Sequence, residues 1–316
     1  MNNSKPTKII FWGTPEFALP SLRALINNPA YQILGVITQP DKPIGRKQIL
    51  TPPPIKLLAN QAGLKIWQPL DVKDPALIAE LKNLAPDLMI LVAYGKIIPL
   101  AILNIPPLGI INLHPSLLPK YRGPSPIATA ILNGETKTGL TIMLLDQQMD
   151  HGPILAQQQI ALDQTETQES LTKNLAELGA QLLLKTLPQY LDQKIIPQVQ
   201  ADDQATLCKI IKKTAGLIDW SKPAQVINQQ IRALHPWPGT YFTAQKASQT
   251  IRIKIMPPIK ILDQQTNQLP GTFFKHHNSL AIACGQNAVL VEKIQPEGKK
   301  ILTAAEFIAG YSWLLN

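Results

Sequence analysis

The sequence predicts an α/β protein, with an open, mostly parallel sheet in the first part of the chain and a smaller β-barrel at its end. Three observations carry that prediction. In the first half, short apolar runs alternate with helix-like segments, the pattern of a parallel sheet covered by helices. Towards the end, strand-like runs are short and closely separated by turn residues, which suits a small barrel. Between the two lies a polar, Gln-rich stretch without sustained periodicity. The expected division is a first domain over 1–191, a linker over 192–206 and a second domain over 207–316.

Each element has its own signal. Apolar runs at Lys8–Trp12, Ile33–Thr38, Lys65–Trp67, Leu88–Ala93 and Gly109–His114 read as strands. Helices are expected over Pro15–Ile26, Pro53–Ala62 and Pro75–Leu84, each with a proline where a first helical turn has no use for its N–H. Strands over Leu140–Leu145 and Ile154–Ile160 precede a long amphipathic helix near Thr167–Leu191. After the linker come a helix near Ser221–Leu234 and strands at Thr240–Thr243, Ile251–Met256, Gly271–Lys275, Ser279–Ala283 and Ala288–Lys293. Thr303-Ala-Ala-Glu306 reads as a capping box opening a last short helix.

Composition narrows the class. A chain of 316 residues, 45 % hydrophobic and 16 % charged, has ample material for a core and a length that favours two domains. No run approaches the ~18 apolar residues of a membrane span, and the first residues lack the apolar centre of a signal peptide. Cys208 and Cys284 are far apart and lack metal-ligand spacing, so two thiols in a reducing compartment are expected. The expected location is the cytoplasm. A net charge of +9 suggests a polyanionic partner, nucleic acid foremost, although charge alone is equally compatible with simple solubility.

Gly13-Thr-Pro-Glu16 stands where a Rossmann-like sheet would carry its phosphate loop. It lacks G-x-G-x-x-G, and Pro15 and Glu16 would remove an N–H and repel a pyrophosphate. A nicotinamide or ATP enzyme is therefore not expected. His276 and His277 would face opposite sides of a strand, without Cys or acidic companions, so no metal site is expected. Trp220, Trp237 and Trp313 are read as core residues.

The chemistry concentrates in Gly109-Ile-Ile-Asn-Leu-His-Pro-Ser-Leu-Leu-Pro-Lys-Tyr-Arg-Gly123 and Met149-Asp-His-Gly-Pro153. Asn112 and His114, two apart at the end of a strand, point to the same side. The break after them places both where open α/β sheets bind ligands. An amide donor, an imidazole and the Asp150 carboxylate would suit acyl transfer to an amine. An α-amino group with a pKa near ~7.7–8.0 is already partly neutral, so no covalent nucleophile is required. What remains is to stabilise an oxyanion and remove a proton. By themselves, Asn112 and His114 read first as a turn cap and a satisfied core histidine.

These two motifs together resemble the signature of the 10-formyltetrahydrofolate-dependent formyltransferases. The resemblance implies a catalytic trio of Asn112, His114 and Asp150, with Asn112 and His114 on the tetrahedral oxyanion and Asp150 orienting and charging His114. It implies that Ser116, Leu117, Leu118 and Pro119 lie against the folate, and that Val92, Ala93, Tyr94 and Gly95 form another part of the pterin pocket. The donor implied is 10-formyltetrahydrofolate, released as tetrahydrofolate, with no metal. His151, beside the catalytic Asp, is read as a spectator.

Gly13-Thr-Pro-Glu-Phe17, Thr38-Gln-Pro-Asp-Lys-Pro-Ile-Gly-Arg46, Ile218-Asp-Trp-Ser221 and His235-Pro-Trp-Pro-Gly239 resemble the family members whose acceptor is methionyl initiator tRNA. The segment from Gln39 to Leu50 matches their tRNA-gripping loop, and the second domain is expected to be of the oligonucleotide-binding (OB) kind. The resemblance thus implies tRNA contacts from Lys42, Arg46 and Lys47, from Lys120 and Arg122, and from Lys209, Lys212 and Lys213, with Lys246, Arg252 and Lys254 further along. No DNA or membrane partner is expected, and a monomer is. An amino-sugar nucleotide acceptor and an inactive RNA-binding relative are the alternatives.

Overall fold

The computed structural model describes residues 5–315 apart from 46, 247–248, 264–265 and 278, and at Lys246 it describes the backbone alone. Arg46 and the side chain of Lys246, both expected to meet tRNA, thus lie outside the described residues. Two compact units divide the chain. One takes the chain up to Pro126 with Thr138–Ile160 and Thr172–Cys208, and the other takes Ile127–Lys137, Ala161–Leu171 and the chain from Lys209.

The first stretch runs β1 (Thr7–Gly13), α1 (Leu19–Ile26), β2 (Tyr31–Ile37), β3 (Lys42–Ile44), β4 (Ile49–Thr51), α2 (Pro54–Gln61), β5 (Ile66–Trp67), α3 (Pro75–Leu84), β6 (Leu88–Val92) and α4 (Leu100–Leu103). It continues with β7 (Ile110–His114), α5 (Pro126–Leu132), β8 (Lys137–Leu144), β9 (Ile154–Ala161) and α6 (Gln168–Leu191). Seven strands form one sheet in the order β5-β2-β1-β6-β7-β8-β9. The pairs from β5 to β7 are parallel, and β8 runs antiparallel to β7. β6 and β7 are buried at every residue, as strands covered on both faces must be. Asp74 caps α3 by accepting from the Ala76 N–H at 2.9 Å, with Pro75 at the first helical position. Pro15 instead precedes a 3-10 turn, Glu16–Ala18, and α1 starts after it.

Three features of the second stretch position its surface. Its elements are α7 (Ala224–Ala233), β10 (Thr240–Lys246), β11 (Gln249–Leu262), β12 (Phe273–His276), β13 (Ser279–Ala283), β14 (Ala288–Pro296), β15 (Leu302–Thr303) and α8 (Ala304–Gly310). The strands make an antiparallel sheet, β10-β11-β14-β13-β12, with β15 added to β14. First, β11 runs through Pro257-Pro258, where the sequence signal stops at Met256; a register shift between Met256 and Ile259 spares the ladder the two missing N–H groups. Second, the Thr303–Glu306 capping box opens α8. Third, Ile253 and Ile255 point into a core with Phe242, Phe273 and Phe307, so Arg252 and Lys254 take the exposed face.

Two expectations fail here. Trp237 is 53 % exposed, not core. His276 and His277 do not face opposite ways: β12 ends at His276, His277 turns with φ +50°, and the ring centroids stand 4.5 Å apart. Among the described residues no group of three or more metal-ligating side chains forms, and no helix is long and apolar enough to cross a membrane.

Candidate active site

The sheet order fixes where a ligand can sit. From β1 the chain moves outward to β2 and β5, then returns to β6 on the other side of β1. That reversal opens a crevice at the carboxyl ends of β1 and β6, the topological switch point of an open α/β sheet. β7 lies beside β6 and pairs with it in parallel, Leu91 opposite Asn112. The last residues of β7 therefore end next to the crevice.

Asn112 and His114 share a face of β7, and each is only 5 % exposed. Among the described residues the Asn112 side-chain amide makes no hydrogen bond, which leaves a nearly buried donor free for a ligand. His114 is held firmly. Its Nε2 lies 3.0 Å from the carbonyl oxygen of Tyr121; since a carbonyl only accepts, Nε2 is the donor and carries a proton. Its Nδ1 faces Asp150 Oδ1 at 3.7 Å, within ion-pair reach and beyond a hydrogen bond. The other carboxylate oxygen of Asp150 accepts from the Gly123 N–H at 2.7 Å. The structure thus pairs His114 with Asp150 and sets Asn112 on the same face of β7, and it leaves His114 Nδ1 outside any hydrogen bond.

Gly123 is a glycine for a steric reason. Its φ is +119°, and an added Cβ would come within 2.5 Å of the Cys208 carbonyl oxygen, closer than real Cβ atoms stand. The close approach aims its N–H at Asp150.

The segments expected to hold a folate divide by what they expose. Val92 is fully buried, and Tyr94, 1 % exposed, packs edge-on against Trp12 with ring centroids 5.0 Å apart. Burial pushes the Tyr94 phenol up to about 12. Both side chains belong to the core. Ala93 and Gly95 alternate with them, exposed and with φ of +50° and +89°, and nothing stands within 4 Å of a Cβ added to Gly95. Their backbone is what this segment presents. Thr14 Oγ1 and Gln39 Nε2 both donate to the Tyr94 carbonyl at 3.2 Å. Ser116 and Leu118 are buried, with Leu117 and Pro119 half-buried. Thr141 Oγ1 donates to the Ser116 carbonyl at 2.7 Å and accepts from the Leu118 N–H at 3.1 Å. Gln157 Nε2 donates to the Leu118 carbonyl at 2.8 Å. This loop is built rigid.

The cations separate in the same way. Lys42 and Lys47 are exposed on a two-stranded hairpin, β3 with β4, rather than on the plain loop expected. Ile44, Ile49 and Leu50 lie exposed beside them at 59, 62 and 64 %. At the base of the hairpin Asp41 pairs with Lys56 Nζ at 2.8 Å and accepts from Gln68 Nε2 at 2.7 Å. Those bonds, Gln68 first, hold its carboxyl below the usual range. Lys120, Lys209, Lys212 and Lys213 are exposed. Arg252 stands 4.2 Å over the Tyr241 ring.

Arg122 corrects the reading. It is 8 % exposed, with Nε donating to Gln200 Oε1 at 3.0 Å and Nη2 to Asp202 Oδ1 at 2.8 Å. Its charge is spent inside the fold and is not offered to phosphate. The partners come from residues that looked like linker: Thr206 Oγ1 accepts from the Tyr121 N–H at 2.9 Å, and the Arg122 N–H donates to the Thr206 carbonyl at 2.9 Å. Nothing in the local sequence marks Gln200 or Asp202. Contacts some fifty to eighty residues away in sequence give them a role.

The chain is similar to known proteins over nearly its whole length. The formyl transferase family profile matches residues 7–187, and that of the formyl transferase C-terminal domain matches residues 210–312. A protein of Roseiflexus castenholzii named methionyl-tRNA formyltransferase is similar at 42 % identity over 303 residues, 96 % of each chain. One of Chloroflexus aurantiacus with the same name is similar at 44 % over 305 residues, again 96 % of each. In fold, the chain is similar to an N-formyltransferase from Helicobacter canadensis solved with folinic acid and dTDP-3-aminofucose. The TM-score is 0.68 at 19 % identity, over 90 % of this chain and 98 % of that one.

Proposed function

The chain belongs to the formyl transferase family, and from that membership we propose that it transfers the formyl group of 10-formyltetrahydrofolate to the α-amino group of methionyl initiator tRNA. The observation that carries the chemistry is the pairing of His114 Nδ1 with Asp150 Oδ1 at the carboxyl end of β7, with nearly buried Asn112 on the same face of that strand. The acceptor follows from relatives of that name at 42–44 % identity across 96 % of the chain.

The donor fits the groups present. Exposed backbone at Ala93 and Gly95 and the rigid Ser116–Pro119 loop offer the hydrogen bonds and apolar walls that a flat heterocycle needs. The bound folate supplies the formyl carbon and the nitrogen that leaves it. Asn112 donates to the oxyanion that develops when the amine adds to that carbon. His114 contributes through Nδ1, its Nε2 being committed to Tyr121. Asp150, with Oδ2 fixed by Gly123, keeps Oδ1 for the amine proton and for orienting His114; that proton then passes to the folate nitrogen as its bond to the formyl carbon breaks. No thiol nucleophile takes part: burial pushes up both Cys208 and Cys284, the latter to about 12.

Lys42 and Lys47 on the hairpin, Lys120, and the exposed Lys209, Lys212, Lys213, Arg252 and Lys254 hold the tRNA through phosphates and exposed bases. The proposed reaction draws all three reacting groups from one chain and so needs no second copy, and the expected place of work is the cytoplasm, with the tRNA. A formylation assay with 10-formyltetrahydrofolate tests the function. Three acceptors are offered: methionyl initiator tRNA, an amino-sugar nucleotide and glycinamide ribonucleotide. Formylation of the tRNA alone is expected; a sugar-nucleotide product in its place, or none, would overturn the proposal.

A further inference from the structure

Asp150 has a left-handed backbone, φ +51°. That conformation is unfavourable for a residue with a Cβ, less so for Asp than for most, and it is held here by its surroundings. Here a closed circuit of side chains does so. The Asp150 carbonyl accepts from Gln200 Nε2 at 2.9 Å, and the same group donates to the Gly152 carbonyl at 2.8 Å. Gln200, 6 % exposed, is fixed by Arg122, and Arg122 by Asp202. The circuit returns through the residue next to Asp150: His151 Nε2 stands 3.4 Å from Asp202 Oδ2, and Nδ1 stands 2.5 Å from Asp146 Oδ2.

An ionised carboxylate only accepts. A neutral imidazole would satisfy one of these two and turn a lone pair on the other. The imidazolium satisfies both. We propose that His151 is a positioning residue of this enzyme: as a cation it ties the 146–152 loop to the 198–202 segment and so holds Asp150 at its working angle to His114. This overturns the reading of His151 as a spectator, and it rests on the assignment of Asp150 to the reaction.

The charged groups facing His151 are Asp146 from its own loop and Asp202 from the other segment, with Arg122 behind Asp202. Asp146, through its hydrogen bond, is the first cause that holds the imidazole above its ordinary value; burial opposes it, and Asp202 adds to it. With a carboxylate facing each nitrogen, the ring keeps its charge to higher pH than a free imidazole and loses it as pH rises further. The clamp therefore loosens on the alkaline side.

The test combines steady-state kinetics with ring spectroscopy on the full chain. His151→Gln should lower kcat about tenfold, the scale of a slightly misplaced reacting group, with both KM values little changed. The alkaline fall of kcat in the wild type should vanish in this variant. Asp146→Asn should move that fall to lower pH. In nitrogen–proton correlation spectra the wild-type His151 ring should carry protons on both nitrogens at neutral pH, a reading that needs no variant to fold. A His151→Gln enzyme with wild-type kcat and pH profile, or a neutral His151 ring, would overturn the proposal. Asp150→Asn run alongside separates the two ideas: full activity there would sink the catalytic assignment, whereas an inactive Asp150→Asn beside an unaffected His151→Gln would sink the clamp alone.

Discussion

His114 Nδ1 faces Asp150 Oδ1 across 3.7 Å, while the opposite edge of the same ring donates to the Tyr121 carbonyl at 3.0 Å. The ring is therefore pinned at Nε2 and works through Nδ1. Asp150 is pinned in the same way, with Oδ2 on the Gly123 N–H. Two half-committed groups face each other, and each keeps one atom for the reaction.

Asn112 is the third member, and its amide has no other task. Asn112→Ala removes a donor to the developing oxyanion and should lower kcat roughly 100-fold or more. The KM for formyl-folate should stay within a factor of a few. Single-turnover rates checked against folate binding decide it; a loss confined to KM would assign Asn112 to ground-state binding.

Gly123→Ala tests the support of Asp150. Its Cβ would meet the Cys208 carbonyl at 2.5 Å, and its φ of +119° suits only glycine. A loss of about 1–3 kcal/mol in stability is expected, together with a lower transfer rate as the N–H moves off Asp150. Thermal melting and kinetics on the same sample measure both.

The hairpin prediction concerns salt. Neutralising Lys42 and Lys47 should weaken tRNA binding and reduce the slope of log affinity against log salt by about 1.5–2. Binding titrations at several salt concentrations measure it. An unchanged slope would mean that these exposed lysines do not meet the phosphates.

The two thiols should be inert in the native protein. Cys208 and Cys284 are each 5 % exposed, and burial pushes both up, Cys284 to about 12. Because the thiolate is the reactive form, iodoacetamide at mildly alkaline pH should modify neither. Both should react once the chain is unfolded, which intact-mass measurement reads directly. Rapid native labelling of Cys208 would show that the 198–208 segment opens.

The sheet was legible because its buried strands read as apolar runs, whereas Asn112 and His114 took on meaning only through the motifs around them and Asp150. Less local features were not. The β3–β4 hairpin carries Ile44, Ile49 and Leu50 on its surface, so burial left no periodic trace. β11 continues through Pro257-Pro258 because a bulge absorbs them. Arg122 looked like a surface cation from its type and its motif; its partners Gln200 and Asp202 lie beyond two strands and a long helix. Val92 and Tyr94 were read as pocket residues, and core packing buries their side chains, a burial that their place in an apolar run did not separate from a pocket wall.

The measurement closest to the central claim is the single-turnover transfer rate of Asp150→Asn, set beside its affinity for methionyl initiator tRNA. If Asp150 takes the amine proton and orients His114, the rate should fall by roughly 100-fold or more while tRNA affinity stays within about twofold of wild type. A rate within a few-fold of wild type, or equal losses in rate and affinity, would contradict it.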